Sequence, residues 1–211
     1  MNQHARPAAS APHRPIAFAP ARASRTTDPD GTIRISCPAP LGDYDPSLAR
    51  LFRAAVAAQP GRVFLQERAG DSWRGLTYGE ARGLVDALAA ALLTRGLSAE
   101  RPVMILSANA IDHALLMLAG YTAGVPVAPI SVAYSLQSQD FAKLRHIAEL
   151  LAPGLIYVAD TAPFSKALAA IGHDAEIIAS RNGASLERVT PFDDLARTSV
   201  TPDVDRAAAS R

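Results

Sequence analysis

The stretch "GLTYGEARGLVDALAAALLTRGLSAERPVMILSANA", residues 75–110, joins a complete amphipathic helix to a short strand without a polar face. Thr77 with Glu80 three residues on forms a capping box, in which each side chain satisfies the other residue's free backbone N–H. Tyr78, Ala81, Leu84, Val85, Leu88 and Leu92 then follow the helical period and make one apolar stripe. Arg95 and Gly96 close the helix, a cation in the last turn and a glycine where a left-handed residue is needed. "RPVMILSANA" continues as an unbroken apolar run, the pattern of a strand covered on both faces. A buried strand beside a helix is the unit from which parallel sheets are assembled.

The same rhythm runs outward in both directions. Upstream, "GTIRIS" (31–36) alternates like a short strand, and Ser47 is placed to cap a helix with Leu48, Leu51, Phe52 and Ala55 on its inner face. Pro60 and Gly61 end that helix, and "RVFLQER" (62–68) reads as a strand. Downstream, a helix over 111–123 packs Ile111, Leu115, Leu118 and Thr122, stops at Gly124 and yields to the strand "VPVAPI". Then come a helix over 141–151, a Pro153-Gly154 break, the strand "LIYVAD", a helix over 164–171 and the strand "AEIIAS". Short apolar strands alternating with helices predict right-handed crossovers and an α/β fold, a mostly parallel sheet flanked by helices. The expected organisation is a flexible, basic, Pro/Ala-rich extension over 1–30, an incomplete α/β domain over 31–197 and a polar tail without periodicity over 198–211.

Composition narrows the classes of function. With 49% apolar residues in 211, the chain has enough material for one buried core, and disorder throughout is excluded. A net charge of +1 offers no field for nucleic acid or an anionic membrane. Cys37 is the single cysteine, which excludes an internal disulfide and a thiolate zinc cluster and fits a reducing cytoplasm. The longest apolar runs, such as "VDALAAALL", are roughly half of the ~20 residues that a spanning helix needs. The first 27 residues carry four arginines and no acid, but prolines at 7, 12, 15 and 20 spoil the amphipathic helix of a transit peptide.

Few motifs that carry chemistry occur in the sequence. The βα turn "SANAID" lacks the glycines of a dinucleotide fingerprint; no G-x-x-x-x-G-K loop and no G-x-S-x-G elbow occurs. The five histidines are scattered, so a metal site is not expected. Asn109 is placed to cap its helix, and His113 beside Asp112 reads as a surface pair. The most reactive-looking segment is "PISVAYSLQSQDFAKLRHI" (129–147), which gathers Ser131, Tyr134, Ser135, Asp140, Lys143 and His146. Tyr134 and Lys143 are nine apart, too far for a Tyr-x-x-x-Lys pair. With Gln139 or Asp140 as the cap, Phe141, Leu144, Ala148 and Leu151 face inward while Lys143 and His146 face water. The segment therefore reads as strand, loop and capped helix rather than a catalytic cluster.

The order of these pieces, from "RVFLQERAGDSWRGLTYGEARGLVDAL" through the buried strand to the "AG" helix end and "VPVAPIS", resembles the amino-terminal part of the adenylate-forming acyl-CoA synthetases. "AYSLQSQDFAKLRHI" and "IRISCPAPLG" resemble the feruloyl-CoA synthetase branch, whose members usually carry proline where Val132 stands. The likeness covers roughly 15–195. It implies a two-step ligase: a carboxylate takes AMP from ATP, with magnesium, and the acyl group then passes to the thiol of coenzyme A. The partners implied are a small aromatic acid and coenzyme A. The family's phosphate loop, adenine motif, ribose-binding aspartate and mobile-domain lysine have no counterpart among these residues. The expectation is therefore an amino-terminal fragment, inactive alone, with no catalytic, cofactor-binding or metal residue to transfer. A stand-alone binding module, one half of a split enzyme, and self-association through an exposed apolar face are the other expectations.

Overall fold

The structure is a computed structural model, and it describes residues 22–172, 174–186 and 188–210. The expected basic extension falls mainly on 1–21, outside the described residues. Two units divide the chain at Tyr44. In the first, β1 (Ser24–Thr27) and β2 (Ile33–Ser36) form an antiparallel hairpin with Ser24 opposite Ser36. Its turn is closed by Asp28, whose carbonyl accepts from Gly31 N–H and whose carboxylate accepts from Arg34 at 2.6 Å. The strand β1 lies inside the span read as a flexible extension: the reading followed its basic, proline-rich composition, whereas the short run "SRTT" finds a partner in "IRIS".

The second unit begins with α1 (Leu48–Ala58), whose N-cap Ser47 accepts from Arg50 N–H. An antiparallel hairpin follows, β3 (Val63–Ala69) and β4 (Ser72–Thr77), and then α2 (Tyr78–Thr94), β5 (Val103–Leu106), α3 (Ile111–Ala123) and β6 (Val127–Pro129). Next come α4 (Ala133–Leu136), α5 (Ala142–Leu151), β7 (Leu155–Asp160), α6 (Thr161–Ile171) and β8 (Glu176–Arg181). The last elements are β9 (Val189–Pro191), α7 (Phe192–Ala196) and α8 (Pro202–Ala209). Thr77 and Glu80 make the predicted capping box, and Ala81, Val85, Leu88 and Leu92 of the predicted stripe are buried.

Five parallel strands lie in the order β6-β5-β7-β8-β9. Alternation along them divides the core into two layers. Val103, Ile105, Leu155 and Tyr157 pack beneath α2, α3, α7 and α8, while Met104, Leu106, Ile156 and Val158 pack beneath α5 and α6. The connection from β5 runs through α3 on the first face, and the returns through α5 and α6 run on the second. That is the reversal right-handed crossovers require when the chain changes direction across a sheet. At Gly120 the helix α3 touches β6 so closely that an added Cβ would stand 2.2 Å from a Val127 methyl carbon and 2.8 Å from the Val125 carbonyl oxygen.

Several expectations are corrected. On α1 the buried side carries Ala49 and Phe52, while Leu48 and Leu51 are exposed; Phe52 is held by the rings of Phe64 and Tyr78, and that contact sets the helix's rotation. The strand β4 carries no apolar alternation, because Gly75 and charged Arg74 interrupt it, and it forms by pairing with β3. Residues 202–209, read as part of a polar tail, form α8: Pro202 occupies its first turn, and Val204 and Ala208 are buried one helical turn apart. Arg53 ties this helix back, donating to Asp86 of α2 at 3.3 Å and to Asp205 at 2.6 Å. Among the described residues, no helix is long and apolar enough to cross a membrane.

Candidate functional site

The crossovers leaving β5 and β7 go to opposite sides, so a crevice opens outside the carboxyl ends of these two neighbouring strands. In open α/β sheets that is where ligands bind. Here it is a cavity of about 460 Å³, bordered by Ser107 to Ala110 after β5, Asp160 at the end of β7, Phe164 of α6, and the hairpin residues Glu67 and Arg74.

A polar network fills one wall. Arg74 of β4 donates to Glu67 across the hairpin at 3.0 Å and to Asp112 on the first turn of α3 at 3.1 Å. The second oxygen of Asp112 accepts from the Ser180 hydroxyl of β8 at 2.7 Å, and Tyr157 Oη of β7 lies 2.8 Å from the same Ser180 Oγ. Ser180 has one hydroxyl hydrogen, directed at Asp112, so Tyr157 is the donor to Ser180. Glu67 Oε2 accepts the Ile111 N–H at 2.8 Å, satisfying the start of α3. Five elements thus meet through side chains that all have partners.

Burial sets the electrostatics. Tyr157 is wholly buried, and burial pushes its phenol above the ordinary value, with the Ser180 hydrogen bond acting the other way. Around Arg74, burial works against the charge, but Asp112 and Glu67 outweigh it and hold the guanidinium above its usual range. Asp160 is held below the ordinary aspartate value, chiefly by the Asn182 amide at 2.8 Å. Its carboxylate also caps α6, accepting from Ala162 N–H at 3.0 Å.

Two readings of individual residues change here. Asp112 is 8% exposed and bonded on both oxygens, so it is no surface partner of His113, whose Nδ1 instead lies 3.2 Å from the Ala108 carbonyl oxygen. Asn109 does not cap α3. The cap position is Ala110, without a side-chain bond, and Glu67 supplies the acceptor from 44 residues away. The segment 129–147 runs from the end of β6 through α4 into α5. Its Lys143 ammonium sits over the Tyr134 ring at 5.4 Å, Asp140 accepts from Ala142 N–H, and Leu144 and Ala148 are buried while Lys143 and His146 are exposed. None of these residues borders the crevice. No group of three His, Cys, Asp or Glu side chains able to hold a metal ion occurs among the described residues.

A nucleoside triphosphate needs free main-chain N–H groups and unpaired cations facing its phosphates. At this crevice the first free N–H groups of α3 and α6 already hold Glu67 and Asp160, Arg74 is engaged by two carboxylates, Arg181 faces Asp160, no lysine lines the cavity, and Arg68 lies over the Trp73 ring at its rim. The crevice does not fit that group.

A model of the AMP-binding enzyme family matches residues 52–208, well over half of the chain. The chain therefore belongs to the AMP-binding enzyme family. Among solved structures it is similar to a chain described as a long-chain-fatty-acid CoA ligase from Rhodopseudomonas palustris CGA009, at 22% identity and a TM-score of 0.58, over 75% of this chain and 38% of that one. A benzoate CoA ligase from Burkholderia xenovorans LB400 matches at 15% identity and a TM-score of 0.58, over 73% and 29%. A fatty acid AMP ligase from Legionella pneumophila matches at 19% and 0.54, over 74% and 26%. At these identities the likeness is one of fold, that of the amino-terminal subdomain of adenylate-forming enzymes. The chain spans between 26% and 38% of the length of these three relatives. No curated protein matches it.

Proposed function

We propose that this chain is the amino-terminal section of an ATP-dependent acyl-CoA synthetase which, when complete, activates an aromatic carboxylic acid as its acyl-adenylate and transfers it to coenzyme A. The observation that carries this reading is the family match over 52–208, laid on a five-stranded parallel sheet. The aromatic preference rests on the feruloyl-branch segments "IRISCPAPLG" and "AYSLQSQDFAKLRHI", the second of which forms α4 and the start of α5. ATP, magnesium and coenzyme A belong to the completed enzyme, where the magnesium ion would offset the phosphate charge. No residue described here is assigned to them, because the crevice does not fit the nucleotide. A reducing cytoplasm suits the exposed thiol of Cys37.

These 211 residues alone are inactive in this reading, since they lack a glycine-rich phosphate loop ending in lysine. ATP–pyrophosphate exchange with ferulate, benzoate and a long-chain fatty acid tests it. The chain alone should give background exchange with all three acids, and adding a polypeptide that bears the phosphate loop and the mobile-domain lysine should restore it, ferulate fastest. Robust exchange by the chain alone defeats the inactivity. Fatty-acid preference in the complemented reaction defeats the aromatic assignment.

A further inference from the structure

In an open parallel sheet the crevice at the strand reversal ordinarily receives a phosphate-bearing ligand, with helix N-termini facing the anion. In this chain both helix starts at that crevice hold a carboxylate of the chain itself. Ile111 N–H donates to Glu67 at 2.8 Å and Ala162 N–H donates to Asp160 at 3.0 Å. The side chains between them are equally engaged, from Arg74 through Asp112 and Ser180 to the wholly buried Tyr157. An entering phosphate would meet Glu67, Asp112 and Asp160; of the three arginines that line the crevice, Arg74 and Arg181 are already paired to these carboxylates, and Arg68 lies exposed on the rim over the Trp73 ring.

We infer that this crevice is closed to the nucleotide used by the AMP-binding enzymes and serves as a latch, by which the hairpin β3–β4 delivers Glu67 and Arg74 to the sheet and is held there. Glu67 lies near the middle of one strand and Arg74 opposite it on the other, so the two side chains reach the crevice from the same face of the hairpin. Through Asp112 and Ser180 the latch engages α3 and β8, which lie on either side of the strand reversal. The inference concerns this crevice alone and holds whichever acid the complete enzyme activates.

Amide hydrogen exchange on the full chain tests both parts. Adding ATP or inorganic pyrophosphate to the unaltered protein should leave exchange at Ile111 and Ala162 unchanged. Slowing at either amide on addition of either compound would overturn the closure. Substituting Arg74→Gln should speed exchange of the hairpin amides over 66–74 by about tenfold, the signature of a locally released element, while the β5 amides exchange as before. Hairpin amides that do not respond, or that speed up only together with β5, would overturn the latch. Ser180→Ala, which removes a link farther along the network, should speed the same hairpin amides by a smaller factor; hairpin amides left at their original rate would likewise overturn it. The unaltered-protein arm needs no substitution and no carboxylic acid, so its outcome is independent of the pyrophosphate-exchange assay above.

Discussion

The two ends of the parallel sheet are each tied by an arginine to a carboxylate, yet they are built on different principles. At the amino end Arg95, just past α2, forks onto Glu176 at the start of β8 with bonds of 2.7 and 3.2 Å, and Thr190 of β9 adds a third at 2.8 Å. Both charged side chains there are about a third exposed, so water shares in stabilising them. At the carboxyl end Asp112 and Tyr157 are shut away, and each polar atom depends on a protein partner. Ion pairs that water can replace are worth little, whereas a buried group left without its partner is costly. The amino end is a clamp on the rim; the carboxyl end seals Asp112 and Tyr157 beneath an arginine, Arg74, that is itself 45% exposed.

That contrast breaks most visibly at Asp112. Asp112→Ala strips Ser180 of its acceptor and Arg74 of one of its two partners, and should cost about 3 kcal/mol in urea unfolding. A loss near that of a surface pair would put both ends in the same class. Tyr157→Phe keeps the ring against Phe192 and removes only the donor to Ser180, so about 1 kcal/mol is expected from the same measurement. At the other end, Glu176→Gln should cost less, up to about 1 kcal/mol, and the loss should shrink further in high salt. A salt-independent loss there would show that the clamp is sealed as well.

The smallest and most graded effect comes from pH. At Glu176, burial raises the pKa but the Arg95 and Thr190 hydrogen bonds outweigh it, so the folded value lies below the ordinary 4.5. At Asp160, the Asn182 amide leads in lowering the folded value below 3.8. For a carboxylate depressed on folding, the unfolded chain binds protons first as pH falls. Stability from these two groups is therefore complete above the unfolded values and declines as pH falls through the lower folded ones. Unfolding midpoints measured across this acid range should fall less steeply in Glu176→Gln than in the unaltered chain. Equal slopes would remove Glu176 from the acid response.

How much of this is legible in the sequence follows from distance along the chain. The helix α2 states itself within eighteen residues, because a capping box and an apolar stripe are local patterns. The alternate burial of Val103, Met104, Ile105 and Leu106 into two core layers is likewise implicit in an unbroken apolar run. The crevice is not local: its residues stand at 67, 74, 112, 157 and 180, and no spacing rule connects them. Asp112 had one signal, a carboxylate next to Ile111 at the start of an apolar helix, but it reads equally well as a surface charge. Asn109 satisfied every local rule for a cap, and a glutamate from a distant hairpin took the role instead. Segment 129–147 is the opposite case: its polar groups meet close neighbours in sequence, Lys143 over Tyr134 and Ser138 with Asp140, and none of them borders the crevice. The helix α8 escaped because Val204 and Ala208 are its only buried residues, too few to make a period.

The ion pairs of Arg53 have a consequence for the order in which this unit is made. Its partner Asp205 lies 152 residues later in the chain, whereas Asp86 of α2 lies only 33 residues later, so the charge on α1 finds one partner early and its second late. Contacts that distant close late and slow folding, whereas α2, β5 and α3 are neighbours able to condense early. A nascent chain halted before residue 205 would therefore hold α1 through Phe52 and Asp86, without its second ion pair. In this fold, α8 adds a second ion pair to a helix that Phe52 and Asp86 have already seated.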